Sequence, residues 1–383
     1  MGDRKIVDLE YSPFESDKFR VNIGPQHPST HGVLRLEAEL DGEIITEVIP
    51  HIGNLHRCME KHCEFKTYPQ IIPFVDRLDY CSAINNELPY VMGVEKLLGI
   101  ELSDKVEYIR VILSEFNRIA NHQIAVAAFG LDTGAFTPFL YLFRDREFIV
   151  KILEHCSGAR LLYNYFWIGG LARDIYPTFK EDCLDAIKRI RVTNAEIMDL
   201  LINNKIFIVR TINTGILPGD VAISYGCTGP VLRGSGVPFD LRKAQPYSIY
   251  DRFDFKVCVG TGELGTIGDS WNRNIVRMNE MEESCKIIEQ AIAQMPMEGD
   301  VREKVPKRVK PPKGEIYSCA ENPKGELGFY IVSDGTDKPS RLKVRSTGFS
   351  NLSVLPDISK GYMIADLIVT LGSLDIVLGD VDR

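Results

Sequence analysis

The sequence predicts an α+β chain in three parts: an N-terminal antiparallel β-sheet, a central antiparallel helix bundle and a small C-terminal α/β lobe. Three observations carry the prediction. Apolar and polar residues alternate over 19–23, 33–40 and 43–48, the period of strands with one buried face. Four longer stretches between 104 and 295 repeat apolar residues at spacings of three and four, the pattern of bundle helices. Alternation then returns over 328–332 and 342–344, around the turn formers of 333–339. The parts are expected to span 1–66, 67–297 and 298–383, with a long irregular insertion at 205–268 inside the second.

A stiff loop joins the first two strands. Gly24-Pro25-Gln26-His27-Pro28-Ser29-Thr30-His31-Gly32 has glycines at its ends and two prolines that fix φ inside it, so two imidazoles are presented with little entropy left to lose. Asp41-Gly42 then turns the chain into the third strand. The second half of 50–63 suits a helix. Its His56, Cys58, His62 and Cys63 are soft ligands, with Cys58 and His62 on one helix face, but no second cluster follows at zinc-site spacing, so no metal is predicted. The stretch 76–87, with Tyr80 and Cys81 between charges and apolar residues, reads as the mouth of a helix.

Asp104 and Glu107 resemble a capping box for a long helix with Val106, Ile109, Leu113, Phe116 and Ala120 on its buried stripe. Arg110, Glu115, Arg118 and His122 fall off that stripe, and Gly130 to Gly134 is expected to end the helix, leaving Asp132 in a loop. Further helices are expected from Thr137-Pro138 toward Arg160, over about 181–204 and over about 269–295. The irregular 226–259 is long enough to be functional or a docking surface. Gly260-Thr261-Gly262-Glu263-Leu264-Gly265 matches the dinucleotide pattern, yet the position that should end a second parallel strand with an acid falls inside a helix. Six basic residues among three prolines at 301–314 read as a solvated linker, able also to meet a partner or anionic headgroups, and a short helix is expected over 359–371.

Composition narrows the function classes. With 383 residues, 44% of them hydrophobic, the chain can bury a sizeable core. The net charge of −8, with no basic face interleaved with aromatics, gives no surface for nucleic acid. The longest apolar run, 124–131, is too short to cross a bilayer, and the charged stretch 1–11 lacks the apolar core of a signal peptide, so any membrane contact is expected to be peripheral. Nine scattered cysteines without a Cys-x-x-Cys pair point to free thiols in a reducing compartment.

The first loop, Leu55-His56-Arg57 through Glu60-Lys61, Asp76-Arg77-Leu78-Asp79-Tyr80, Asn117-Arg118-Ile119-Ala120-Asn121-His122, Thr137-Pro138-Phe139, Leu232-Arg233-Gly234-Ser235-Gly236, Asp240-Leu241-Arg242-Lys243, Pro323-Lys324-Gly325-Glu326, Ser333-Asp334-Gly335 and the final Asp382-Arg383 occur in one order along nearly the whole chain. Together they resemble the quinone-site subunit family of proton-pumping NADH:quinone oxidoreductase, respiratory complex I. The resemblance implies a quinone chamber where the hydrophilic arm meets the membrane, with reduction coupled to proton translocation. It places the quinone ligands on His31 and Tyr80, the carboxylate that pairs with the histidine on Asp132, and His27 in a supporting role. Arg57 corresponds to an arginine close to the terminal iron-sulfur cluster, which cysteines of a neighbouring subunit hold.

Those residue types suit the chemistry. Quinone reduction puts negative charge on carbonyl oxygens and consumes two protons, so the site needs hydrogen-bond donors that can also deliver protons. Histidine titrates near neutrality, and tyrosine donates without being ionised at rest. The chain has no cluster-binding cysteine pattern and no NADH site, so it is expected to bind no cofactor by itself. Expected partners are the iron-sulfur subunit, other hydrophilic-arm subunits, and the membrane-arm subunit at the quinone entrance. The expected location is the cytoplasmic face of a bacterial inner membrane. Related complexes take electrons from ferredoxin or a deazaflavin, and a purely structural scaffold is the other class of alternative.

Two departures from the family pattern stand out. A helix expected over 158–163 carries Leu162 where many members have a histidine that couples the cluster's potential to protonation, which implies a lower, pH-insensitive potential suited to menaquinone. Cys58 stands where members commonly have glycine. The family is also similar to the large subunit of nickel-iron hydrogenases, and the fold is expected to be of that kind. Those enzymes hold nickel with two Cys-x-x-Cys pairs; here Cys81 stands alone and 374–383 has no cysteine, which excludes thiolate ligation of nickel.

Overall fold

The computed structural model describes residues 9–11 and 18–383, so most of the charged stretch 1–11 lies outside the described residues. Strands β1 (Leu9–Tyr11), β2 (Lys18–Ile23), β3 (Arg35–Asp41) and β4 (Ile44–His51) form an antiparallel sheet in sequence order. Ile23 pairs with Leu36 and Val21 with Ala38, so the alternation sends Val21, Ile23, Leu36, Ala38 and Leu40 to one buried face.

Helices α1 (Met59–Phe65), α2 (Tyr68–Val75) and α3 (Ala83–Leu98) lead into the long pair α4 (Asp104–Asp132) and α5 (Phe136–Ser157). The short strands β5 (Phe166–Trp167) and β6 (Gly170–Leu171) form a hairpin before α6 (Phe179–Ile197), which widens into a π-helical turn at Met198–Ile202. After α7 (Lys205–Thr211), α8 (Gly219–Ser224), α9 (Pro230–Gly234) and α10 (Leu241–Ala244), α11 (Ser270–Gln294) packs along α4. Strands β7 (Gly314–Asn322), β8 (Gly325–Ser333) and β9 (Pro339–Arg345) make a second antiparallel sheet. Four short helices follow: α12 (Thr347–Ser353), α13 (Leu355–Ser359), α14 (Ile364–Leu374) and α15 (Leu378–Asp382).

Several expectations are corrected. Ser103, not Asp104, is the N-cap of α4, and Asp104 and Glu107 are first-turn acids that favour the helix dipole. The helix also continues through Gly130 to Asp132: at Gly130 the missing side chain lets Leu201 approach, where an added Cβ would stand 3.3 Å from Leu201 Cδ2. Helix α5 stops at Ser157 with Gly158 at φ 84°, so 158–163, including Leu162, is not helical. One expected helix over 359–371 is two. Between them Gly361 donates to Ile45 O and Ile45 to Tyr362 O, each at 2.9 Å, so the chain leaves the helix to bond the start of β4.

The largest correction concerns the charged residues of α4. Arg110, Glu115, Arg118 and His122 are fully buried. Glu115 accepts from Arg118 at 3.2 Å, Arg242 at 3.1 Å, Tyr250 at 2.7 Å and Ser284 at 2.6 Å. Arg233 joins Glu280 at 2.6 Å to Glu321 at 2.7 Å, and Glu280 also meets His122 at 3.0 Å. Burial would raise the Glu115 carboxyl, but Arg118 and Arg242 hold it down at about 2. The irregular 226–259 supplies Arg233, Asp240, Arg242, Tyr247 and Tyr250 to this interior, so part of it is core packing.

The glycine-rich 260–265 is anchored to the interior at its first residue: Gly260 is buried, whereas Thr261, Glu263, Leu264 and Gly265 are exposed. Residues 254–259 form no strand, and a Cβ at Gly260 would sit 2.2 Å from Gly234 O. The N-terminus of α11, where a phosphate would bind, already holds Asp269, whose Oδ1 accepts from the Asn272 N–H at 2.8 Å. The basic 301–314 is only partly a solvated linker, since Val301 O accepts from Leu171 and Glu303 donates to Gly169 O at 2.7 Å.

Two hydrophobic cores result. The larger joins α2 to α7, α10, α11 and the second sheet. The other joins the N-terminal sheet to α8, α9 and the residues from Leu352 to Val381.

Candidate functional site

The β2–β3 loop is held by its own side chains. A 3-10 turn at Pro28–Thr30 begins where His27 Nδ1 accepts from the Ser29 N–H at 3.2 Å. Thr30, buried, has its hydroxyl 2.8 Å from His27 O and 3.0 Å from Gly32 O. Gly24 is required because a Cβ there would stand 2.1 Å from Leu34 O. The turn ends on His31 in the left-handed region at φ 53°.

That backbone aims His31 at the end of α4, where Asp132 Oδ2 accepts from its Nε2 at 2.7 Å. The side chains are 16% and 10% exposed. On α14, Gly372 leaves space for the carboxylate: a Cβ would come within 2.6 Å of Asp132 Oδ2. Burial would lower the His31 pKa, but the hydrogen bond to Asp132, the charge of Asp132 and that of Asp375 together raise it above the usual imidazole value.

Tyr80 stands in the turn between α2 and α3, 37% exposed, and its hydroxyl has no hydrogen bond among the described residues. Burial, then the neighbouring Cys81 and Asp79, push its pKa up, so it remains a neutral donor at physiological pH. Asp79 anchors the turn by accepting from Ser82 Oγ at 2.6 Å and from Lys324 Nζ at 2.9 Å. Arg57, an electrostatic neighbour of Tyr80, donates to Arg77 O at 2.6 Å and Gly379 O at 3.2 Å. His27 is turned to its own loop and joins neither group.

Sequence reasoning misses Lys324 and Asp375. Lys324 is buried in the β7–β8 turn, binding Asp79 on one side and lying 3.8 Å from Asp375 on the other, with Asn121 Oδ1 as a further acceptor. Asp375 in turn acts on His31. One buried ammonium therefore links the turn bearing Tyr80 to the carboxylates around His31. Its motif, Pro323-Lys324-Gly325-Glu326, is visible in the sequence, but a lysine in a hairpin turn reads as solvated.

The four soft ligands do not converge. Cys58 is the N-cap of α1 at φ 54°, a left-handed conformation that glycine adopts most readily, and lies 3.6 Å from His56 Nε2. Cys63 is buried, its thiol pushed up to about 12 by burial, and the His62 ring lies against Phe74. Among the described residues, no three His, Cys, Asp or Glu side chains are grouped to hold a metal ion. Nor is any described helix long and apolar enough to cross a membrane.

The chain matches the family model for "Respiratory-chain NADH dehydrogenase, 49 Kd subunit" over residues 132–311 and 301–383. It is 54% identical over 381 residues to an NADH-quinone oxidoreductase subunit of Chlorobium phaeovibrioides, covering 99% of this chain and 95% of that one. It is 52% identical over 384 residues to the corresponding subunit of Chlorobaculum tepidum, covering 100% and 96%, and 55% identical over 392 residues to that of Cytophaga hutchinsonii, covering all of both. With agreement of this extent from end to end, the chain belongs to the family of the 49 Kd subunit of respiratory-chain NADH dehydrogenase.

Proposed function

We propose that this chain is the quinone-site subunit of an NADH:quinone oxidoreductase, reducing quinone as part of the complex in a chamber formed with an iron-sulfur subunit. The observation that carries the reading is the His31 to Asp132 contact of 2.7 Å, which holds a proton on an imidazole at a buried site. As charge develops on the quinone oxygens, His31 and Tyr80 donate hydrogen bonds to them and then deliver protons. Asp132 orients the imidazole and stabilises its charged form. The chain keeps kinship with hydrogenase large subunits in fold while lacking their nickel ligands.

A cluster held by the partner would supply the electrons. Arg57 fits beside it: its guanidinium is fixed by two carbonyls, its Nε is buried without a partner among the described residues, and a fixed cation favours the reduced form of a cluster. The partners are then the iron-sulfur subunit, the hydrophilic arm and the membrane-arm subunit at the quinone entrance. The chain sits peripherally on the cytoplasmic face of the bacterial inner membrane. The segment 158–163 offers no histidine at Leu162. The cluster midpoint is therefore expected to stay flat with pH in redox titration of the complex; a slope near ~59 mV per pH unit would contradict this.

The direct test of the function is Tyr80→Phe in the assembled complex. Removing one donor to the developing charge is expected to lower quinone reduction by ~10²-fold while NADH oxidation by an artificial acceptor upstream stays intact. Unchanged quinone reduction in Tyr80→Phe and in His31→Ala would make the chain a scaffold.

A further inference from the structure

Two acids that the proposed chemistry leaves unused flank the turn bearing Tyr80. Asp76 caps the end of α2 and Glu87 lies in the second turn of α3, and both are fully buried. They hang from three consecutive peptide N–H groups. Asn164 donates to Asp76 Oδ2 at 2.9 Å, Tyr165 to Glu87 Oε2 at 3.0 Å, and Phe166 to the same oxygen at 2.5 Å. Asp76 Oδ1 is buried with no N–H or O–H donor among the described residues, and the Asp76 and Glu87 side chains interact as hydrogen-bond neighbours. Two carboxylates in hydrogen-bond contact away from water cannot both be charged, so one keeps a proton and donates it to the other.

The surroundings do not relieve this need. From the end of α2, Arg77 is the cation near Asp76, but its guanidinium is hydrogen-bonded to Pro73 O. From α4, Arg110 feels Glu87 yet forks onto Glu95 of α3 at 2.9 and 2.7 Å. From the 163–167 segment, Tyr163 and Tyr165 face the pair, both pushed up by burial and therefore neutral, with Arg146 near Tyr163.

We propose that Asp76 and Glu87 share one proton at neutral pH, and that this proton positions Tyr80 by fastening the α2–α3 turn to the 164–166 segment. The positioning role rests on the reading of Tyr80 as a quinone ligand. Burial, then the charge of Asp76, raises Glu87 well above the usual carboxyl range, and burial raises Asp76 to about 6. Folded-state values above the unfolded ones mean the fastening is complete below the ordinary carboxyl pKa and is lost as pH rises through the folded values.

The test is hydrogen exchange at the amides of Asn164, Tyr165 and Phe166 in the assembled complex from pH 6 to 9, corrected for the intrinsic rate, with the KM for quinone followed in parallel. In the wild type, protection is expected to fall ~10-fold toward alkaline pH while KM rises and kcat changes less. Glu87→Gln keeps an acceptor for the two amides and a donor to Asp76 without a titratable proton, so both pH trends should flatten. Asp76→Asn makes the same test from the other side should Glu87→Gln fail to assemble. Wild-type protection that is flat with pH, or a slope that survives in both variants, overturns the shared proton. A KM indifferent to the change in protection overturns the positioning role. Failure of the Tyr80→Phe experiment would remove the quinone reading alone, since the exchange result stands without it.

Discussion

Asp132→Asn is expected to lower quinone reduction by the assembled complex by ~10²-fold at pH 7 and to move the alkaline limb of the pH profile to lower pH. In the wild type, burial disfavours the charged imidazole but is outweighed by the Asp132 hydrogen bond, its charge and the charge of Asp375. The substitution removes the first two and leaves burial against Asp375 alone. His31 then gives up its proton at lower pH and holds none to deliver at neutrality. The sign for stability follows the same logic. A folded pKa above the unfolded value means the ion pair stabilises fully below about pH 6.5 and fades as pH rises through the raised value, so the wild type should lose thermal stability over that window and the variant should not. Quinone reduction measured against pH in both proteins checks the first statement, and an unmoved alkaline limb would defeat it.

The second large effect belongs to Lys324→Met. It leaves Asp79 and Asp375 facing a buried methionine, and breaking a buried ion pair by removing one partner costs about 3–5 kcal/mol. That is a large fraction of ordinary domain stability, so the chain should melt early and assemble poorly. Burial would lower the lysine pKa, yet the two carboxylates raise it above the ordinary value, so the bridge is charged throughout pH 6 to 9 and the loss should not vary across that range. A double-mutant cycle separates the charge from the packing. Asp79→Asn together with Lys324→Met should be less destabilised than the sum of the single changes; strict additivity in thermal unfolding would show that the charges do not interact.

How far the sequence speaks depends on how local the physics is. The ends of α11 are readable to within a residue because Asp269 is a strong N-cap beside the apolar period. The β2–β3 loop is readable because glycine and proline act on their own backbone. Strand β7 escapes, since its buried positions Ser318, Ala320 and Asn322 are small or polar and show no apolar alternation. The faces of α4 mislead for a different reason. Periodicity marks one apolar stripe, whereas Arg118 and His122 are buried by Glu115, Glu280 and Glu321, up to two hundred residues away in sequence. At the site, periodicity alone puts Asp132 beyond the helix, and only family resemblance joins it to His31. Lys324 and Asp375 carry no local signal, because each matters only through carboxylates or a lysine that the fold brings to it.

The N-terminal sheet completes its hydrophobic face with residues from Leu352 to Val381. For a chain made from one end to the other, this sets an order in time. Residues 18–51 leave the ribosome early, but the core that takes in Val21, Leu36 and Ile45 is complete only when α13 and α14 follow, more than three hundred residues later. The His31 loop, braced by Gly372 of α14 through Asp132, must be among the last parts of the molecule to take shape. During synthesis the exposed strands invite chaperones or a waiting neighbour from the complex, and a chain released short of α14 would carry His31, Tyr80 and Asp132 and still have no site.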